Sequence, residues 1–260
     1  MVTSIATIFK MPKVFLLFLL GISIAQAQDK VSDSIVVKDT VQNLKFNYKQ
    51  LIIPGVLIGY GFIGLESDWL KGFNNDIREE VTEDIDNKVT IDDFSQFAPA
   101  ASVYALNAMG IKGKNNLKDR SIILATSYLM MSVTVFALKD ITHVQRPDGT
   151  SYNSFPSGHT ANAFAGAEFL YQEYKDKSIW YGISGYIVAT GTGLFRMYNN
   201  RHWLTDVAAG AGIGILSTKA AYWLFPYTKN IFHSKEKKMT SMIMPFYNGN
   251  QFGGAMVMQF

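Results

Sequence analysis

Two uncharged stretches limit what this chain can fold into. Ser121–Leu138 and Ser178–Phe195 each run 18 residues without a charge, and Val207–Tyr227 contains only Lys219. Helices of about 20 apolar residues are long enough to cross a bilayer, and a chain with several of them must place them in lipid or bury them in one another. Ala161–Tyr171 is a shorter helical run that includes Glu168. Gly210 and Gly214 form a small-xxx-small pair of the kind that lets helices pack closely. Composition leans the same way. Apolar residues make up 48% of the chain and charged residues 17%, against about a quarter for soluble proteins. The expected fold is all-α: a helical bundle with several transmembrane helices.

The organisation along the chain follows from composition. Lys10 and Lys13 precede an apolar run, Val14–Ile24, that leads into Ala25-Gln26-Ala27. A basic start, a short apolar stretch and a small-x-small ending describe an export signal, expected over residues 1–27. Residues 28–47 read as a polar linker, residues 48–230 as the helical domain, and residues 231–260 as a basic segment followed by a β-hairpin. The hairpin is read from two strand-like runs, Ser241–Phe246 and Gly253–Phe260, flanking Asn248-Gly249-Asn250, since Asn-Gly is a strong hairpin turn signal. Between Glu66 and Phe94 the chain is acidic. There Ile77, Val81, Ile85 and Val89 recur every four residues, which predicts a helix with one apolar stripe and a solvated acidic face.

Several classes of function are excluded. The chain has no cysteine, so thiolate metal sites, iron–sulfur clusters and thiol nucleophiles are absent. Its net charge of +3 comes without a basic stripe, which gives no support to nucleic-acid binding. No cluster of Asp, Glu and His has metal-ligand spacing along the sequence, so neither metal nor cofactor is expected. No obligate protein partner is evident.

Three blocks carry chemistry. In the first, Lys139 and Arg146-Pro147 close an apolar helix and enter a loop. By itself such a pair is also what anchors a helix at a membrane surface. The second is Pro156-Ser157-Gly158-His159, followed by an Ala-rich run. Ser157 can cap the helix that begins there, and a helix N-terminus after a Gly turn offers free N–H groups to an anion. The third runs from Arg196 to Asp206 and contains His202. His202 and Asp206 are four apart and share a helical face, so the carboxylate can fix the imidazole tautomer and free the other ring nitrogen.

Together the blocks resemble the type 2 phosphatidic acid phosphatase family, which shares its site with bacterial class A acid phosphatases and vanadium haloperoxidases. That family's pattern is Lys-x6-Arg-Pro, then Pro-Ser-Gly-His, then Ser-Arg-x5-His-x3-Asp. Ten of its specified positions occur here in order, and the departure is Phe195 in place of the Ser before Arg196. The resemblance implies a histidine mechanism. His202 would be the nucleophile, Asp206 its orienting carboxylate, and His159 the proton donor to the leaving group and then the base for water. Lys139, Arg146, Ser157, Gly158 and Arg196 would bind the phosphoryl group. His143 is read as a loop residue beside the site, and Arg201 could touch a headgroup.

The resemblance also implies a substrate, a phosphorylated lipid. In texture the chain is most like bacterial lipid A phosphatases and undecaprenyl-diphosphate phosphatases. Spans at 51–65, 121–138, 161–175, 178–195 and 207–227 would put all three blocks on one side. Lys112, Lys114, Lys118 and Arg120, then Lys175 and Lys177, then Lys229 and Lys235, would lie on the other. Basic loops remain cytoplasmic, so the site is expected to face the periplasm from the inner membrane. Phe97–Gly110 must then not span. The alternative is a soluble periplasmic acid phosphatase of broad specificity.

Overall fold

The structure, a computed structural model, describes residues 46–82, 90–232 and the backbone of 240–247 and 252–259. The expected export signal, most of the linker, Ile85, Val89, His233 and the Asn248-Gly249-Asn250 turn lie outside the described residues. A 3-10 turn at Tyr48–Leu51 leads into α1 (Ile52–Glu66), which is followed by α2 (Asp68–Thr82) and two short helices, α3 (Ile91–Ser95) and α4 (Ala98–Ala108). The long helices are α5 (Leu117–Thr142), α6 (Gly158–Tyr174), α7 (Ile179–Tyr198) and α8 (Leu204–Phe232). Thr240–Tyr247 and Phe252–Gln259 pair as antiparallel strands β1 and β2, with Thr240 opposite Gln259.

Local chemistry sets the boundaries. Asn116 caps α5 by accepting the Asp119 N–H at 2.9 Å. At its other end the helix stops on His143, which takes the left-handed conformation at φ 46°. A non-glycine residue there is unusual and marks a sharp exit into the loop that carries Arg146. Pro99 sits in the first turn of α4, where its missing N–H costs nothing. At 11 residues, α4 is only about 16 Å long, too short to span, as expected of this stretch.

Helix α6 is the centre of the bundle. It packs on α4, α5, α7 and α8, and Ala161, Ala163, Ala165, Ala167 and Phe169 on it are fully buried. Its small residues let neighbouring backbones approach. A Cβ at Gly210 of α8 would stand 2.5 Å from the Ser157 carbonyl oxygen, and one at Gly214 would collide with the Ala161 carbonyl oxygen. The Gly210/Gly214 pair therefore marks a close helix contact, as its spacing suggests.

Of the five spans expected, two are long and apolar enough to cross a membrane among the described residues. These are Tyr48–Glu66 with 19 residues and Leu117–Thr142 with 26. Only 17% and 22% of their most apolar windows are buried, so Ile53, Val56, Leu129, Val133 and Phe136 point outward. Of the other three segments, those in α6 and α8 carry polar residues turned into the bundle. α6 buries Glu168, Gln172 and Glu173, and Glu168 accepts from Lys219 of α8 at 2.7 Å. These are inward-facing polar positions in a bundle core, and they dilute the apolar character of both helices.

The expected acidic helix is present as α2, with Ile77 and Val81 half-buried on it. Asp92, assigned with its neighbours to a solvated face, is instead 1% exposed. The chain uses this carboxylate inside the bundle.

Candidate active site

Alternating helix direction assembles the site. Helices α5 and α7 end where α6 and α8 begin, so Lys139, Gly158, Arg196 and Asp206 belong to four helix ends at one face of the bundle. The Ser157 N–H donates to the Asp206 carbonyl at 3.0 Å and ties the second block to the third. The basic residues before α5 and those between α6 and α7 collect at the opposite end, where the Lys114 N–H donates to the Glu173 carbonyl at 2.9 Å.

His202 and Asp206 lie at the bottom of the site, 4% and 0% exposed. His202 Nδ1 is 3.5 Å from Asp206 Oδ2. The same oxygen accepts from Ser154 Oγ at 2.5 Å and from the Trp203 N–H at 2.9 Å. Ser154, fully buried, is a third member of this group that the motifs did not indicate. Burial pushes the His202 imidazole down to about 4, with Asp206 opposing and Lys139 and Arg196 reinforcing. A neutral ring whose Nδ1 faces the carboxylate keeps its lone pair on Nε2, the condition for attack on phosphorus.

Three cations surround this pair. Arg146, His159, Arg196 and Arg201 line one cavity of about 290 Å³, together with Asp92, Asp93 and Asn199. Arg146 Nε donates to Asn153 Oδ1 at 2.9 Å. Lys139 Nζ donates to the carbonyls of Asn153 and Ser154, so it sits against the segment that carries the Asp206 partner. Arg196 is 8% exposed, donates from a terminal nitrogen to Asp92 Oδ2 at 2.5 Å, and has a buried Nε with no protein partner. An unpaired guanidinium N–H in a cavity walled by cations is a donor suited to an oxyanion.

Ser157 departs from its expected role as a cap. It occupies the cap position of α6 but makes no capping bond there. Its hydroxyl pairs with Thr160 Oγ1 at 2.9 Å, and the residue is fully buried. Gly158 opens the helix, and a Cβ on it would meet only Val135, at an ordinary 3.7 Å. Packing does not demand this glycine.

Two carboxylates complete the site, and nothing in the sequence pointed to them. Asp92 accepts from Arg196 and, at 3.1 Å, from Asn199 Nδ2. Asp93 Oδ1 is 2.8 Å from His159 Nε2. Their partners are 104 and 66 residues away, so no local spacing reveals them. Burial and the nearby Arg196 lower the His159 pKa from its ordinary 6.5, while Asp93 works to raise it. Asp92, Asp93 and His159 bring three possible ligand atoms within 4.8 Å of one another, a cluster that reading along the sequence missed. Asp92 in this cluster is already engaged with Arg196 and Asn199. His143 acts as the backbone cap of α5, and Arg201 pairs with Asp148 at 3.0 Å on the cavity rim.

Residues 120–230 match the model of the PAP2 superfamily. A lipid A 1-phosphatase of Porphyromonas gingivalis is 36% identical over 171 residues, covering 62% of this chain and 38% of that protein. The bacitracin transport permease protein BcrC of Bacillus licheniformis is 34% identical over 98 residues, covering 37% of this chain and 46% of that one. The chain thus aligns with less than half the length of either relative. A transmembrane PAP2-type phosphatidylglycerolphosphate phosphatase of Bacillus subtilis shares the fold, with a TM-score of 0.50 and 18% identity over 74% of this chain and all of that one. The region that matches the PAP2 superfamily model, residues 120–230, is the one that carries all three motif blocks.

Proposed function

We propose that this protein is a metal-independent phosphatase that removes phosphate from a membrane lipid, lipid A phosphate or undecaprenyl diphosphate, through a phosphohistidine on His202. The observation that carries the proposal is the convergence of Arg146, His159 and Arg196 on one cavity beside the buried His202–Asp206 pair. In the first step Nε2 of His202 attacks phosphorus, the P–O bond to the lipid breaks, and His159 gives its proton to the departing oxygen. Asp206 stabilises the imidazolium form of the phosphorylated ring. In the second step His159 takes a proton from water, the water oxygen bonds to phosphorus, the P–N bond breaks with its electron pair returning to His202 Nε2, and phosphate leaves. Lys139, Arg146 and Arg196 supply the positive charge that phosphoryl transfer requires, and the amides at Gly158 add donors.

The lipid is argued from two features. One relative, 36% identical over 171 residues, is named a lipid A 1-phosphatase, and the site lies at the end of α5, an apolar helix that is mostly unburied. The basic end of the bundle is opposite the site, which favours a periplasmic-facing centre. A soluble periplasmic acid phosphatase would not be expected to leave Leu129, Val133 and Phe136 in a row on its surface. The test is a substrate panel assayed with the detergent-solubilised protein, joined to fractionation of cells after a high-salt wash. Membrane retention, with kcat/KM for a lipid phosphate about tenfold or more above para-nitrophenyl phosphate, supports the proposal. Release into the soluble fraction, with activity on small phosphomonoesters alone, would favour the alternative.

A further inference from the structure

A groove of about 380 Å³ leaves the site along α5. Its upper end is formed by Lys139 and Gly158, both assigned above to phosphate binding. It then descends past Val135 and Phe136 to Ser132 and ends beside Tyr128. These positions recur at helical spacing on one side of α5, and Phe97 and Phe136 stand exposed at its margins. Gly158 lies level with Val135, the residue its missing Cβ would touch. Tyr128 is seven residues further down the same helix, so its Cα is about 10 Å below the Gly158 amide.

The lower end of the groove contains an anomaly. The Tyr128 hydroxyl is buried and has no hydrogen-bond partner in the protein. Buried tyrosine hydroxyls normally find one, and leaving one unpaired carries a free-energy cost. Met131 and Val135 near it belong to a packed apolar cluster, and besides Lys139 the groove's polar lining is Ser132 with Gln96 and Asn162, the last two bonded to each other at 3.1 Å. A hydrocarbon chain anchored by its phosphate at Lys139 and Gly158 would fill this groove, and a polar atom on that chain at the right depth would meet the phenol.

We infer that the groove holds a fatty-acyl chain of the substrate and that Tyr128 donates to a carbonyl or hydroxyl oxygen near the head of that chain. The Tyr128 Cα lies about 10 Å along the helix from the Gly158 amide, and the tyrosine side chain can close several ångströms of that gap toward the first acyl linkage. A polyprenyl chain has no such oxygen. The groove therefore selects acylated phospholipids and glycolipids over polyprenyl diphosphates. This inference rests on the lipid reading of the site and narrows it.

The test compares the full-length protein with Tyr128→Phe and Ser132→Phe in mixed micelles. The substrates are hexa-acylated lipid A, dipalmitoyl phosphatidic acid, undecaprenyl diphosphate and para-nitrophenyl phosphate. Each lipid rate is read as a ratio to the soluble one, so a folding defect cancels. Tyr128→Phe should lower the ratio for the acylated lipids about fivefold, the scale of one lost hydrogen bond, and leave the undecaprenyl ratio where it was. Ser132→Phe should lower the acylated ratios about tenfold or more by filling the groove. Equal changes for acylated and polyprenyl substrates with Tyr128→Phe, or no change with Ser132→Phe, would overturn the assignment of the groove. If the unaltered protein cleaves para-nitrophenyl phosphate but no lipid, the lipid reading falls first and the groove with it.

Discussion

The Asp92 carboxylate holds the Arg196 guanidinium at 2.5 Å from a short helix 104 residues earlier in the chain, and both side chains are buried. Arg196 is thus positioned by a segment outside the region that matches the superfamily model. Asp92→Ala would leave that charge without its partner. It should lower stability by about 1–3 kcal/mol, the cost of a buried donor left unsatisfied. It should also lower kcat/KM about tenfold as Arg196 leaves its position. Denaturant melts and phosphatase assays on the purified protein check both. Full stability with full activity would show that Arg196 needs no such support.

The His202 group makes a graded prediction. His202→Ala should abolish turnover, because it removes the attacking nitrogen. Asp206→Asn should leave a trace, since orientation is lost and the nitrogen is not. Ser154→Ala removes the 2.5 Å bond to Asp206 Oδ2 and should reduce kcat about tenfold while altering KM little. Steady-state kinetics on the three variants give the order.

The pH profile follows from the two histidines. His202 must be neutral to attack, and burial holds it near 4, so activity should fall as pH drops through about that value. His159 must be protonated to serve the leaving group, and its pKa is lowered below 6.5, so activity should fall as pH rises through that lowered value. The kcat/KM profile is then a bell on the acid side of neutrality. Asp93 raises the His159 pKa, so Asp93→Asn should move the basic limb to lower pH and leave the acid limb in place. A basic limb that does not move would reduce Asp93 to a structural contact.

Metal independence is open to direct trial. EDTA should leave activity intact, and orthovanadate should inhibit by adopting the five-coordinate geometry of the transition state. The trial has force because Asp92, Asp93 and His159 could gather around an ion. Loss of activity in EDTA, restored by one added metal, would make that cluster part of the chemistry.

The three motif blocks were legible because their residues stand at fixed local spacing. Lys139 and Arg146 flank a helix exit, and His202 and Asp206 are four positions apart, although His202 lies just before α8 rather than on it. Asp92 and Asp93 were not legible, since their partners are brought to them by the fold alone. An acidic run looks the same in sequence whether one of its members is solvated or turned inward, as Asp92 is. The inward turn of polar residues on the long helices was hidden for a related reason. Apolar length identifies Leu117–Thr142, but in α6 and α8 the polar residues Glu168 and Lys219 pair inside the bundle, and sequence does not show which way they face.

The central claim is that phosphate passes through His202, and the most direct measurement is mass spectrometry of the protein quenched during turnover at alkaline pH, where phosphohistidine survives. A lipid phosphate should leave one phosphoryl group on the peptide containing His202. The label should rise in His159→Ala, which slows the water step, and vanish in His202→Ala. Turnover without a labelled histidine, or label on Ser157, would contradict the account.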